Sequence, residues 1–158
     1  MRDRLALVQQ RIERDFAEPR LRFPGLEFRP VHEWAQAYPP VHPSLTDNPE
    51  IDDDYVCISG GHSFRISSDL GDEEITVEVA SQLQDDAMDQ LGAPWPSLIV
   101  PEGITAVLEP RLSAEGVAVW ATEAGYRCPI GRLQAVFGAL RGPATAGSHT
   151  RIDSSRRA

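Results

Sequence analysis

No lysine occurs in the chain; all fifteen residues of the Lys+Arg count are arginine. That excludes a Schiff-base lysine, a phosphate-loop lysine and a kinase-type lysine. Cysteine is nearly as scarce: Cys57 and Cys128 stand alone, with no CxxC pair. A reduced pair is the expectation, and one disulfide is the alternative. No apolar run approaches the roughly 18 residues of a membrane span. The first ten residues mix charges of both signs, and their apolar stretch, Leu5 to Val8, is too short for a signal peptide core. The expected location is the cytoplasm.

What is present is acid, unevenly spread over 158 residues with net charge −9. Residues 1–22 hold six arginines and four acids, and residues 142–158 hold three arginines and one acid. Between them, residues 47–91 hold thirteen acids and a single arginine, Arg65. Such a surface repels phosphate backbones, so nucleic-acid binding through the core is not expected. Basic protein surfaces and divalent cations are its natural counterparts.

Periodicity places the elements. Leu5, Val8, Ile12 and Phe16 recur at spacings of three and four, which predicts an amphipathic helix stopped by Pro19. Residues 21–31 alternate around Pro24-Gly25 and read as two short extended pieces. The proline-rich stretch 38–50 reads as a surface arm, with His32, Trp34 and Tyr38 at its entrance. Tyr55 to Ser59, Gly60-Gly61 and His62 to Ser67 form the clearest hairpin pattern, with a primed two-residue turn. Residues 72–79 fit strand or helix, and 78–91 fit a helix closed by Gly92 and Pro94. Short β-rich runs at 98–100, 104–112, 117–121 and 126–128 predict a meander, followed by a helix over 130–140.

Asp52-Asp53-Asp54 followed by His62 is the strongest local cluster. Carboxylate oxygens and an imidazole nitrogen suit Mg²⁺, Mn²⁺ or Zn²⁺, and the hairpin is expected to bring Asp54 and His62 within reach of each other. A solvated acidic loop explains the same run without a metal. No EF-hand spacing fits, His32-Glu33 is not continued to HExxH, and His42 and His149 are scattered. Cys57, between Val56 and Ile58, reads as a buried hydrophobe; Cys128, beside Arg127, is the better candidate thiolate. Ser59-Gly60-Gly61-His62-Ser63 is no GxSxG elbow, and no helix opens after the glycines to make a phosphate cradle. Trp34, Tyr38, Trp95 and Trp120 are core or anchor aromatics, and Trp95, between Pro94 and Pro96, is expected to be partly exposed.

Trp95-Pro96, Gly116-Val117-Ala118-Val119-Trp120 and Ile130-Gly131-Arg132-Leu133 resemble a group of uncharacterised small proteins of high-GC bacteria. Their pattern runs Trp-Pro-x-Cys-Pro-x-His, Gly-x-Ala-Val-Trp-x-Cys and Ile-Gly-x-Leu. The resemblance implies a helix followed by a meander. The ligand-like cysteines and histidines of the pattern are absent here, at 97–101 and at Ala121-Thr122, so it implies no metal site and no activity.

The expected architecture is α+β, a mostly antiparallel sheet of about four to six strands packed against two or three helices. One domain over 1–141, including the arm at 38–50, is expected to precede a disordered tail at 142–158. The leading functional expectation is a non-enzymatic interaction protein without a cofactor, binding a partner protein through Asp52, Asp53, Asp54, Trp34 and Trp95 on the 47–91 face. The alternatives are a metal-binding or metal-assisted hydrolase domain using Asp52, Asp54 and His62, and a small-ligand binding domain.

Overall fold

The computed structural model describes residues 2–37, 54–60, 62–99 and 103–135. The proline-rich arm, Asp52 and Asp53, and the tail at 142–158 lie outside the described residues. Helix α1 (Arg2–Phe16) is followed by β1 (Glu27–Pro30), a short helix α2 (Val31–Ala37), and the hairpin β2 (Tyr55–Ser59) and β3 (His62–Ile66). Helix α3 (Asp72–Leu91) leads into β4 (Ser97–Ile99), β5 (Thr105–Val107), β6 (Glu109–Leu112), β7 (Ala118–Ala121) and β8 (Arg127–Pro129).

The α+β class is as expected, but the strands do not form one sheet. They form three antiparallel sheets, ordered β1-β2-β3, β4-β5 and β6-β7-β8. The strands are three to five residues long. Helix α1 packs on α3, and α3 packs across β6 and β7.

The stripe Leu5, Val8, Ile12 and Phe16 of α1 is buried, and it meets Ile75, Val79, Ala80, Leu83 and Ala87 of α3. The ambiguity at 72–79 resolves as helix: Ile75 and Val79 face the core while Val77 is half-buried. Alternation there is a coincidence of a helix whose apolar face is wide. Residues 31–37, at the entrance to the arm, are helical, an element the sequence pattern does not predict. That helix buries no residue, so it carries no periodic apolar signal to read.

Trp95 departs most from expectation. It is 5 % exposed and sits in an aromatic knot with Phe16, 4.6 Å between ring centroids, and Trp120, 5.8 Å away and edge-on. Pro96, joined to Trp95 by a cis peptide, is buried with it, while Pro94 is exposed. As placed, Trp95 is a core residue and offers no surface to a partner.

A buried carboxylate fastens the knot. Asp15 Oδ2 accepts from Trp120 Nε1 at 2.7 Å and from the Gly131 amide at 2.6 Å, and Oδ1 accepts from the Leu133 amide at 2.8 Å. Gly131 is required there: its φ is +93°, and an added Cβ would lie 3.1 Å from the Arg11 backbone. Burial pushes the Asp15 carboxyl up from its ordinary range, against the pull of the three N–H donors and Arg14.

Candidate functional site

The acids of residues 72–89 divide by position along α3. At its N-terminal end all three are engaged. Asp72 pairs with Arg4. Glu73 takes Arg11 at both oxygens, 2.7 and 3.0 Å, and also the Ala118 amide at 2.6 Å. Glu74 reaches back to the Gly71 amide at 2.7 Å and satisfies an otherwise orphaned donor. The Arg11 pair leads the causes that hold Glu73 below the usual carboxylate range; burial opposes it and the Ala118 amide assists.

Further along the helix, Glu78, Asp85 and Asp89 make no ion pair with any described residue. Spacings of seven and four put them in one exposed stripe with Gln82. The last turn carries no basic residue, so Asp89 faces the negative end of the helix dipole with no counter-charge on the helix.

Beside this stripe lies a cleft of about 310 Å³. Its floor is Phe16, Leu83 and Ala87, and its rim includes His62, Asp86 and Asp89. The walls are two turns. One follows Phe23-Pro24 and is pinned on both sides: Arg22 N donates to Gln90 Oε1 at 2.9 Å, and Leu26 N donates to Glu13 Oε1 at 3.1 Å. The other is the β2–β3 turn, where Gly60 has φ +59° and a Cβ would lie 3.2 Å from Pro24 Cγ. Glycine therefore lets the two turns close together.

Ser59 ends β2 on the same strand face as Cys57, which belongs to the core. It is 5 % exposed and lines the cleft. No hydrogen bond joins its hydroxyl to another described residue, and no fully enclosed polar atom is left without a partner, so this oxygen opens onto the cleft.

His62 stands 3.9 Å from Asp86 Oδ1. It does not stand near Asp54. The register pairs Ser59 with His62 and Tyr55 with Ile66, so Asp54 lies at the opposite end of the hairpin, about 16 Å along the strand. The expected convergence of the two is corrected: a hairpin puts the residue before its first strand and the residue after its turn at opposite ends. Asp54 is itself closed off, pairing with Arg65 and accepting from the Ser68 amide at 2.8 Å. Burial pushes its carboxyl up, but Ser68 and Arg65 together outweigh this and hold it below the usual range. Among the described residues, no three His, Cys, Asp or Glu side chains are grouped to hold a metal ion.

Trp34 is half-buried on α2, and His32 is exposed there. Both cysteines are free and buried. Burial pushes Cys57 up to about 12 and Cys128 up to about 11. Cys128 is therefore no thiolate: Asp15 adds to the rise and Arg132, not the neighbouring Arg127, opposes it. No helix of the described residues is long and apolar enough to cross a membrane. Comparison with protein-family models, curated protein sequences and solved structures finds no match to this chain.

Proposed function

We propose that this chain is a non-enzymatic interaction protein that binds a basic segment of a partner protein through the outer side of α3. The observation that carries the reading is the placement of Glu78, Asp85 and Asp89. Asp15 is buried, Glu74 caps its helix, and Asp54, Asp72 and Glu73 pair with arginine; these three acids do none of that among the described residues. Asp85 and Asp89 also repel each other one turn apart, and Asp89 sits in the last turn, where the dipole disfavours acids. Each such placement costs a few tenths of a kcal/mol, up to about 1 kcal/mol. A charge kept where the fold gains nothing from it supports a role in binding. Asp52 and Asp53 lie outside the described residues and Asp54 is closed off by Arg65, so none of them carries the reading, and Trp95 does not because it is buried.

The test is titration calorimetry of the full chain with a hexa-arginine peptide at low and high salt. Binding is expected to weaken steeply as salt rises. The variant carrying Glu78→Gln, Asp85→Asn and Asp89→Asn is expected to lose it. A control carrying Glu109→Gln, Glu115→Gln and Glu123→Gln removes the same charge from another surface and is expected to keep most of it. Equal losses in the two variants, or no binding by the parent chain, would sink the reading.

A further inference from the structure

We infer that the cleft between the Gly60 turn and the C-terminal half of α3 is an anchor pocket for one arginine side chain of the partner. The inference rests on the proposed acidic docking face and specifies how that face recognises its partner. Three features converge in one place. The floor of Phe16, Leu83 and Ala87 is apolar and fits a three-carbon stem. The rim carries Asp86 and Asp89, three residues apart on one helix and so adjacent on its surface. Beside them the Ser59 hydroxyl, on a residue 5 % exposed, opens onto the cleft as an acceptor with no partner among the described residues.

A guanidinium matches this set better than an ammonium. Its planar fork of donors can meet two carboxylates and a hydroxyl at once, whereas lysine presents a compact point charge. Arg22 and His62 share the rim. Arg22 is anchored there by its backbone amide, through Gln90, and its side chain is exposed. His62 stands 3.9 Å from Asp86, beyond hydrogen-bond length, so it does not engage the Asp86 carboxylate as a hydrogen-bond donor. The cleft is near the small end of the roughly 300–1,000 Å³ range of ligand sites, a size suited to one side chain.

The experiment follows backbone amide signals of the isotope-labelled full chain while N-acetyl-arginine methylamide is added. N-acetyl-norleucine methylamide and N-acetyl-lysine methylamide serve as comparison probes. Saturable shifts are expected at Ser59, His62 and Ala87 with the arginine probe, at affinity near 1 mM, as suits so small a ligand. Asp86→Asn and Ser59→Ala are each expected to weaken it about tenfold, the scale of a lost hydrogen bond to a charged group. Thermal unfolding confirms that both variants fold; if Ser59→Ala does not, Ser59→Thr tests the same hydroxyl in a tighter space. Equal binding of the norleucine probe would overturn the guanidinium assignment. Shifts confined to other residues would overturn the pocket. If the hexa-arginine peptide still binds through the stripe while the arginine probe leaves the cleft unshifted, the pocket falls and the docking face stands. If neither binds, both fall.

Discussion

The two ends of helix α3 carry similar numbers of acids and use them in opposite ways. Asp72, Glu73 and Glu74 occupy the end where the helix dipole favours negative charge, and each holds something: α1 through Arg4 and Arg11, β7 through Ala118, and the chain entry through Gly71. Asp85, Asp86 and Asp89 lie toward the other end, where the dipole opposes Asp89 in the last turn, and among the described residues only Asp86 stands within 4 Å of a basic side chain, His62. The difference teaches that an acidic segment is not one feature. Along residues 72–89, the acids of the first turn hold the fold together, and the exposed acids of the later turns do not.

The comparison is broken most directly by removing carboxylates and measuring stability, with Asp15 setting the scale for one that the fold cannot lose. Asp15→Ala leaves Trp120 Nε1 and the amides of Gly131 and Leu133 without acceptors. At about 1–3 kcal/mol for each orphaned buried donor, a loss of about 4 kcal/mol or more is expected in urea unfolding. Asp15→Asn keeps one acceptor and is expected to lose less. Next in size, Glu73→Ala removes the Arg11 fork and the Ala118 contact. Because the Glu73 side chain is 35 % exposed, solvent screening reduces the expected loss to about 1–2 kcal/mol.

The pH dependence of stability separates the same groups by sign. Glu73 and Asp54 are held below their ordinary values of 4.5 and 3.8. Their contribution is present above those values and is lost as pH falls through their lower folded-state values. Asp15 is raised above 3.8, so its contribution is full below that pH and is lost as pH rises through its folded-state value. Stability is therefore expected to rise as pH falls through the Asp15 folded-state value toward 3.8 and to fall as the Glu73 and Asp54 folded-state values are passed. Thermal melts across this range check it. Asp15→Asn is expected to remove the rise, and Glu73→Gln to soften the fall. A rise that survives in Asp15→Asn would reject the assignment to Asp15.

Much of the frame was legible because its signals are local. The stripe of α1, the body of α3 and the Gly60-Gly61 hairpin are each set by residues within a few positions of one another. What was not legible depends on distant contacts. Asp15 looks like one more polar residue near a helix end, yet its partners lie 105, 116 and 118 residues away. Trp95 between two prolines reads as a surface turn until Phe16 and Trp120 fold over it. The acidic segment was legible as a face, but its division into engaged and open carboxylates required knowing where Arg4 and Arg11 of α1 would lie. The separation of Asp54 from His62 is the exception. Hairpin geometry alone dictates it, and the register could have been worked out from the turn.

The smallest expected effect on stability is the sharpest test of the comparison. Asp85→Asn and Asp89→Asn remove a like-charge pair one turn apart and relieve the unfavourable end of the helix dipole. Neither residue makes an ion pair with a described residue that its removal would break. Each change is therefore expected to leave the unfolding midpoint unchanged or to raise stability by about 0.3–0.5 kcal/mol. Side-chain amides keep the polarity and volume, so a gain would report charge alone. The gain should shrink at high salt, as exposed charges are screened over about 10 Å at 0.1 M. A loss of 1 kcal/mol or more in either variant would mean that this end of α3 also holds the fold, and the case for a docking face built on idle carboxylates would go with it.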